Sequence, residues 1–199
     1  MDTHFHNPEN SLSYIAIDFE TANYDKHSAC QIGMVRFIDG IETDTFSALI
    51  KPPDTYFVPK FTREIHHIAY DDVKDAPPFS DVWQTMAVPF ILKTPRVPLV
   101  AHNAGFDMAV VRACCEYYAV PTPALKYFCS LKLSRVLWTA LESHRLTALG
   151  EHCAITYTAH DALEDARTCG AIVRIMAAEQ QVDTVRKLLR TARQRLSSL

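Results

Sequence analysis

YIAIDF, residues 14–19, with Glu20 and Thr21 directly after it, is the stretch on which the fold turns. A short β-rich apolar run of this kind suits a buried strand. In a strand, residues two apart point to the same side, so Asp18 and Glu20 share a face at its end. Two carboxylates placed there repel each other unless something positive lies between them. A hard cation such as Mg²⁺ answers that need, because it takes oxygen ligands from carboxylates. Asp-x-Glu alone is a weak signal, since ordinary surface chemistry explains most such pairs.

Working outward, residues 30–38 (CQIGMVRFI) and 41–50 (IETDTFSALI) read as two more strands. Asp39-Gly40 between them is a strong hairpin-turn signal, so the first third is a three-strand meander. The proline-rich KPPDTYFVPK (51–60) is a connection, followed by a short helical stretch from Thr62 through Ile65 and Ile68. Val82, Trp83, Met86, Phe90 and Ile91 recur at helical spacing over 80–92. VPLVAH (97–102) is a fourth strand, and Asn103 is placed to cap the helix after it. A short strand and a short helix share 127–138, and another short helix lies between His144 and Cys153. A long helix spans 161–179, where Asp161 and Glu164 have the spacing of a capping box. Strands first, then mixed helices and strands, indicate an α/β fold with a mixed sheet.

The segment 182–199 is also helical in pattern, with Val182, Val185, Leu188, Leu189, Ala192 and Leu196 on one side. Arg186, Lys187, Arg190, Arg193 and Arg195 make it basic, either as a solvated face or as a surface for nucleic acid or a partner protein. The expected organisation is a loose N-terminal tail over 1–12, one domain over 13–180 and this basic helix over 181–199. His4 and His6 fall in the tail and are not expected to form a metal site.

Bulk properties narrow the classes. A chain of 199 residues, 48% hydrophobic, fits one packed domain. Its net charge of −3 argues against a protein that coats duplex DNA through phosphates, and is neutral towards one that holds a strand end. The six cysteines form no Cys-x-x-Cys pair and read as free, mostly buried thiols in a reducing compartment. Neither a signal peptide nor a membrane-length apolar run is found, so a cytoplasmic location is expected.

Two further clusters join the first. In HNAGFD, Asp107 falls in the first turn of its helix, where the positive dipole end favours an anion. In HDALEDA, His160 precedes the long helix and Asp165 lies in its first turns. A histidine near neutrality suits a general base that takes a proton from water.

Asp-x-Glu, His-Asn-x-x-x-Asp and His-x-x-x-x-Asp, in this order and separated by whole structural units, resemble the DEDDh exonucleases, including the proofreading epsilon subunits of bacterial DNA polymerase III. The resemblance covers about residues 14–178. It implies a ribonuclease H-like fold with a five-stranded mixed sheet flanked by helices. It also implies 3′→5′ hydrolysis of terminal phosphodiesters, single-stranded DNA being favoured, with release of nucleoside 5′-monophosphates. Asp18, Glu20 and Asp165 resemble ligands of one Mg²⁺ or Mn²⁺ ion, Asp18 being shared with a second ion on the Asp107 side. His160 resembles the general base. The tyrosine variant of the superfamily would carry Tyr where Asp161 stands, so the histidine class is implied.

By the same resemblance Phe19 and Thr21 would cradle the terminal nucleotide, and Ile65 and His66 would approach its sugar. His102, Asn103 and Phe106 join the substrate side, Phe106 stacking on or wedging beside a base, a contact worth about 1–3 kcal/mol in single-strand binders. His67 departs from the pattern by standing where the family usually has glycine. RNA 3′-end trimming, as in ribonuclease T or oligoribonuclease, is the alternative activity. A non-catalytic nucleic-acid or polymerase-binding module is the alternative class.

Overall fold

The computed structural model describes residues 11–199. The expectations for residues 1–10, His4 and His6 included, lie outside the described residues. Ser11 and Leu12, expected in the tail, are instead packed: the Ser11 carbonyl accepts from Val185 N (3.2 Å) and the Leu12 carbonyl from Gly40 N (2.9 Å).

Six strands form one mixed sheet: β1 (Tyr14–Thr21), β2 (Ala29–Ile38), β3 (Ile41–Leu49), β4 (Leu99–Ala101), β5 (Lys126–Cys129) and β6 (Ser197–Ser198). Their order is β3-β2-β1-β4-β5-β6. The meander pairs antiparallel, while β4 joins β1 in parallel and β5 joins β4 in parallel. Asp39 and Gly40 have φ of 52° and 76°, the mirror-image turn whose twist suits a two-residue hairpin. Every residue of β1 is buried except Asp18, which is half-buried. The central strand is therefore apolar along its length and carries its acids to one end.

The helices are α1 (Tyr70–Val73), α2 (Phe79–Val82), α3 (Val88–Leu92), α4 (Gly105–Tyr117), α5 (Ser130–Leu137), α6 (Leu146–His152), α7 (Ala162–Glu179) and α8 (Val185–Thr191). A wider π turn over Trp83–Ala87 joins α2 to α3, so the helix expected over 80–92 is continuous but locally unwound. Met86, one of the residues at helical spacing there, is exposed.

Helix α7 decides where the acids meet, and two glycines seat it. A Cβ on Gly33 would lie 2.2 Å from the Ala162 carbonyl carbon, and one on Gly170 would lie 2.1 Å from the Phe37 ring. Gly33 is the register partner of Asp18. The first turn of α7 therefore sits on β2 level with Asp18, which brings Asp165 to the same place. Tyr14 Oη donates to the Gly170 carbonyl at 2.8 Å and fixes the helix further along. At its start, Asp161 accepts from Leu163 N (3.1 Å) and Glu164 N (3.0 Å), as an N-cap should. The expected capping box is half made, because Glu164 pairs with Arg167. Gln31 from β2 takes part instead: it donates to Asp161 Oδ2 and accepts from Ala162 N, both at 3.1 Å.

Three further expectations are corrected. The sheet has six strands, not five, because Ser197 and Ser198 pair antiparallel with Tyr127 and Lys126. The C-terminal helix stops at Thr191. Arg193 takes φ 53°, its N–H bonds to the Arg190 carbonyl (3.0 Å), and Gln194 N reaches the Leu189 carbonyl (2.7 Å). That pair of bonds is a Schellman terminus, closed without glycine. Val185, Leu188, Leu189 and Ala192 are buried in the main core, but Leu196, past the terminus, is exposed. Asn103 is not a side-chain cap. It adopts φ 66°, its carbonyl accepts from Phe106 N (2.8 Å), and Ala104 takes the cap position with no side chain to offer. Asparagine tolerates this left-handed conformation better than most residues.

No helix among the described residues is long and apolar enough to cross a membrane. The described cysteines are all free, and only Cys153 is not buried.

Candidate active site

The acids gather along the carboxyl-terminal half of β1, where β4 has already stopped at Ala101. Phe19 N–H there donates to Asp107 Oδ1 at 3.2 Å, which ties the first turn of α4 to β1. Asp107 is 1% exposed, and its other oxygen, Oδ2, has no hydrogen-bond partner. Asp165 repeats the arrangement on the α7 side: Oδ2 accepts from His160 N at 3.1 Å, and the buried Oδ1 has no partner. A β-bulge between Glu20 and Thr21 interrupts the ladder at the same level, and bulges of this kind re-aim side chains beside active sites.

The four carboxyls perturb one another's ionisation. Burial first, then the charges of Asp107, Asp165 and Glu20, push the Asp18 carboxyl well above its usual range. Burial and the Asp165 and Asp107 charges push Glu20 up to about 8. Burial raises Asp107 as well, opposed by its backbone hydrogen bonds. Asp165 is raised by burial to about 6, with the His160 N–H bond holding it down. Four carboxyls that resist ionisation together, two of them with an orphaned buried oxygen, match the donor set of a hard divalent cation. The residues present therefore fit the cations that the sequence implies.

His160 is exposed, with φ 66°. Its ring, Glu20 and Asp165 each offer a donor atom within 4.8 Å of the other two. The loop before α7 thus delivers the histidine to the acids, as the His-x-x-x-x-Asp spacing indicates.

The substrate-side residues are placed less uniformly. The Phe19 ring is buried near Phe79 at 6.5 Å between centroids, leaving its backbone to face the site. Thr21 is buried, and its carbonyl accepts from His66 Nε2 at 3.2 Å. His66 Nδ1 accepts from Ile68 N at 3.0 Å, so both ring nitrogens are used inside the protein and Nε2 carries the proton. Burial lowers the His66 pKa, in keeping with a neutral ring. Ile65 is half-buried at the end of the π turn Phe61–Ile65. His67 has φ 60°, so the chain follows the left-handed path open to a glycine while its side chain stays exposed. His102 bridges Ser130 Oγ (3.0 Å) and the His144 carbonyl (2.9 Å), and burial takes its pKa down to about 4. It braces the end of β4 as a neutral ring. Phe106 is half-buried beneath the Lys26 ammonium, 4.2 Å from its ring centroid.

A cleft of ≈ 830 Å³ opens beside Asp165 and His160, with Asn103 on its wall. It also contains Arg135, Arg145 and Tyr157, which the sequence did not single out. Arg145 occupies the N-cap of α6, where the helix dipole disfavours a cation, and that mismatch was its one legible signal. Tyr157 lies beside Asp165: burial and then the Asp165 charge push the Tyr157 hydroxyl up, while Tyr157 helps hold the Asp165 carboxyl down, and its buried hydroxyl has no partner of hydrogen-bonding geometry.

Comparison with known proteins assigns the chain to a family. Residues 15–173 match the exonuclease family. The chain is 25% identical over 201 residues to the 3′-5′ exonuclease DinG of Bacillus subtilis, covering 96% of this chain but only 20% of that protein. In structure it resembles exonuclease X in complex with 5′ overhanging duplex DNA, with TM-score 0.70, 24% identity, and 90% and 99% of the two chains covered. It also resembles the nuclease domain of 3′hExo, a DEDDh family member bound to rAMP, with TM-score 0.74, 18% identity, and 90% and 95% covered. The chain belongs to the exonuclease family.

Proposed function

We propose that this chain hydrolyses the terminal phosphodiester at the 3′ end of a nucleic acid strand, with single-stranded DNA as the favoured substrate. The observation that carries the reading is the pair of buried carboxylate oxygens, Asp107 Oδ2 and Asp165 Oδ1, that have no partner within a cluster of four acids. Asp18, Glu20, Asp107 and Asp165 would hold two divalent cations, Mg²⁺ or Mn²⁺. Bound there, such ions lower the pKa of an attacking water and take up charge on a leaving oxygen.

The protein's own groups do the rest. His160, exposed beside Asp165, takes the proton from the water, a contribution usually worth about 10²–10⁴-fold. The water oxygen bonds to phosphorus, the bond from phosphorus to the 3′ oxygen breaks, and the strand end leaves as a nucleoside 5′-monophosphate. Arg135 and Arg145 in the cleft offer charge to the strand's phosphates. The backbone at Phe19 and Thr21, with Ile65 and Phe106, provides the surface for the last nucleotide.

The neighbours named above include one with DNA and one with a ribonucleotide, so both sugars belong in the test. Matched 5′-labelled single-stranded DNA and RNA are digested with Mg²⁺, Mn²⁺ or chelator, alongside Asp18→Ala. The expected outcome is a ladder shortening from the 3′ end of DNA, abolished by chelator and by the variant. A ladder on RNA alone reassigns the substrate. No cleavage of either strand by folded protein that binds them supports the non-catalytic module.

A further inference from the structure

At the other end of the parallel strands, where Val97 and Pro98 enter β4 and Leu125 and Lys126 enter β5, the surface opens into a cavity of ≈ 960 Å³. Ile91, Val97, Leu125, Val185 and Leu189 give it an aliphatic lining. Around it stand Arg96, Lys126, Arg186, Arg190, Arg193 and Arg195, all exposed. No Asp or Glu lines the cavity. None of the six cations forms an ion pair among the described residues, where every ion pair involves other side chains. In a chain whose acids outnumber its Lys and Arg by 23 to 20, this is a local excess of one sign.

We propose that this cavity docks an acidic peptide segment of a partner protein, one with a single large apolar side chain flanked by Asp and Glu. The apolar side chain fills the aliphatic floor and is desolvated there, as anchors in concave sites are. The flanking carboxylates meet the ring of cations, none of them held in an ion pair among the described residues, which attracts and orients them. A nucleic acid strand fits less well. Single-strand binders offer aromatic faces to the bases, and no residue lining this cavity is aromatic. Because the acid cluster lies at the carboxyl-terminal half of β1 and the cavity lies at the amino ends of β4 and β5, a docked partner leaves the cleft of Asp165 and His160 open. The docking requires nothing of the hydrolytic reading and stands or falls apart from it.

The test is fluorescence anisotropy on the full chain with fluorescein-labelled dodecapeptides, each carrying one Leu, Phe or Trp among Asp and Glu. Counterparts have Lys in place of the acids, or Ser in place of the anchor, and labelled (dT)20 is run beside them. The charge-reversed double variant Arg186→Glu/Arg190→Glu changes two exposed positions of α8, far from the acids. The expected result is saturable binding of an anchored acidic peptide, weakened about tenfold or more in the double variant. The rate on a short single-stranded oligonucleotide should stay unchanged. Acidic peptides that bind no tighter than their Lys or Ser counterparts, or equally to both proteins, would overturn the proposal. So would a double variant that loses (dT)20 binding and keeps peptide binding, which would make this face a nucleic-acid surface.

Discussion

The two ends of the parallel strand pair hold opposite charges in opposite circumstances. Around the carboxyl-terminal half of β1, Asp18, Glu20, Asp107 and Asp165 are drawn into the protein and raise one another's pKa values. At the amino ends of β4 and β5, six cations stand in water with no carboxylate among the residues lining their cavity. Exposed like charges are screened by solvent and salt, so a row of surface arginines is tolerated at little cost. Buried like charges are not screened, and a fold that keeps them needs a counter-charge that arrives with a ligand. The acid end therefore speaks for chemistry by its energetics. The basic end speaks only through its shape and composition.

The comparison can be broken most sharply at His160. His160→Ala should lower the cleavage rate by about 10²–10⁴-fold and leave saturable Mn²⁺ binding in place. An unchanged pH–rate profile in the variant would take the base role away from this residue.

The next effect is on stability. In chelator, the Glu20 carboxyl has its folded pKa raised from 4.5 to about 8. A carboxyl raised in this way keeps its proton in the folded state where the unfolded chain has already lost it. The folded state therefore loses stability as pH rises from about 4.5 towards 8. Asp165, raised to about 6, adds to the same slope over its lower part. Thermal melts in chelator should fall across that range, while Mg²⁺ or Mn²⁺ should restore the loss at the alkaline end. At 100 times its dissociation constant a cation adds about 2.7 kcal/mol. A melting temperature that rises with pH in chelator would contradict the crowded-acid account.

Smaller effects test how the acid end is built. Gly33→Ala puts a methyl where the Ala162 carbonyl lies, so α7 must shift. A loss of about 1–3 kcal/mol in urea unfolding is expected, with cleavage falling as Asp165 moves. Stability lost with full activity retained would show that Asp165 tolerates the displacement. Asp161→Ala removes the cap of α7 and its bond to Gln31, with an expected loss of about 1 kcal/mol by the same measurement.

Much of the acid end was legible because its signals are local. The apolar run of β1 with acids two apart, the Asp39-Gly40 turn and the Asp161 cap each depend on neighbours within a few residues. What was not legible depends on distant partners. Glu164 pairs with Arg167, and it is Gln31, 131 residues from Ala162, that bonds to the first turn of α7. His66 and His102 look free in the sequence, yet backbone carbonyls of Thr21 and His144 engage their rings. Asn103 has the composition of a cap, but the tight turn from β4 into α4 sends its backbone to φ 66°. The basic segment kept its helical pattern past Thr191 only on paper, since the Schellman bonds at Arg193 and Gln194 end the helix and release the chain to form β6. Arg135 and Tyr157 carry no pattern of their own and enter the site through the fold.

The central claim is that the four acids form a cation site, and Mn²⁺ binding tests it most directly. Calorimetric titration of the metal-free chain at pH 8 should show saturable binding that is lost or strongly weakened in Asp165→Asn, while the variant melts no lower than the wild type in chelator. Absence of saturable binding by the folded wild type, or equal binding by the variant, would contradict the account.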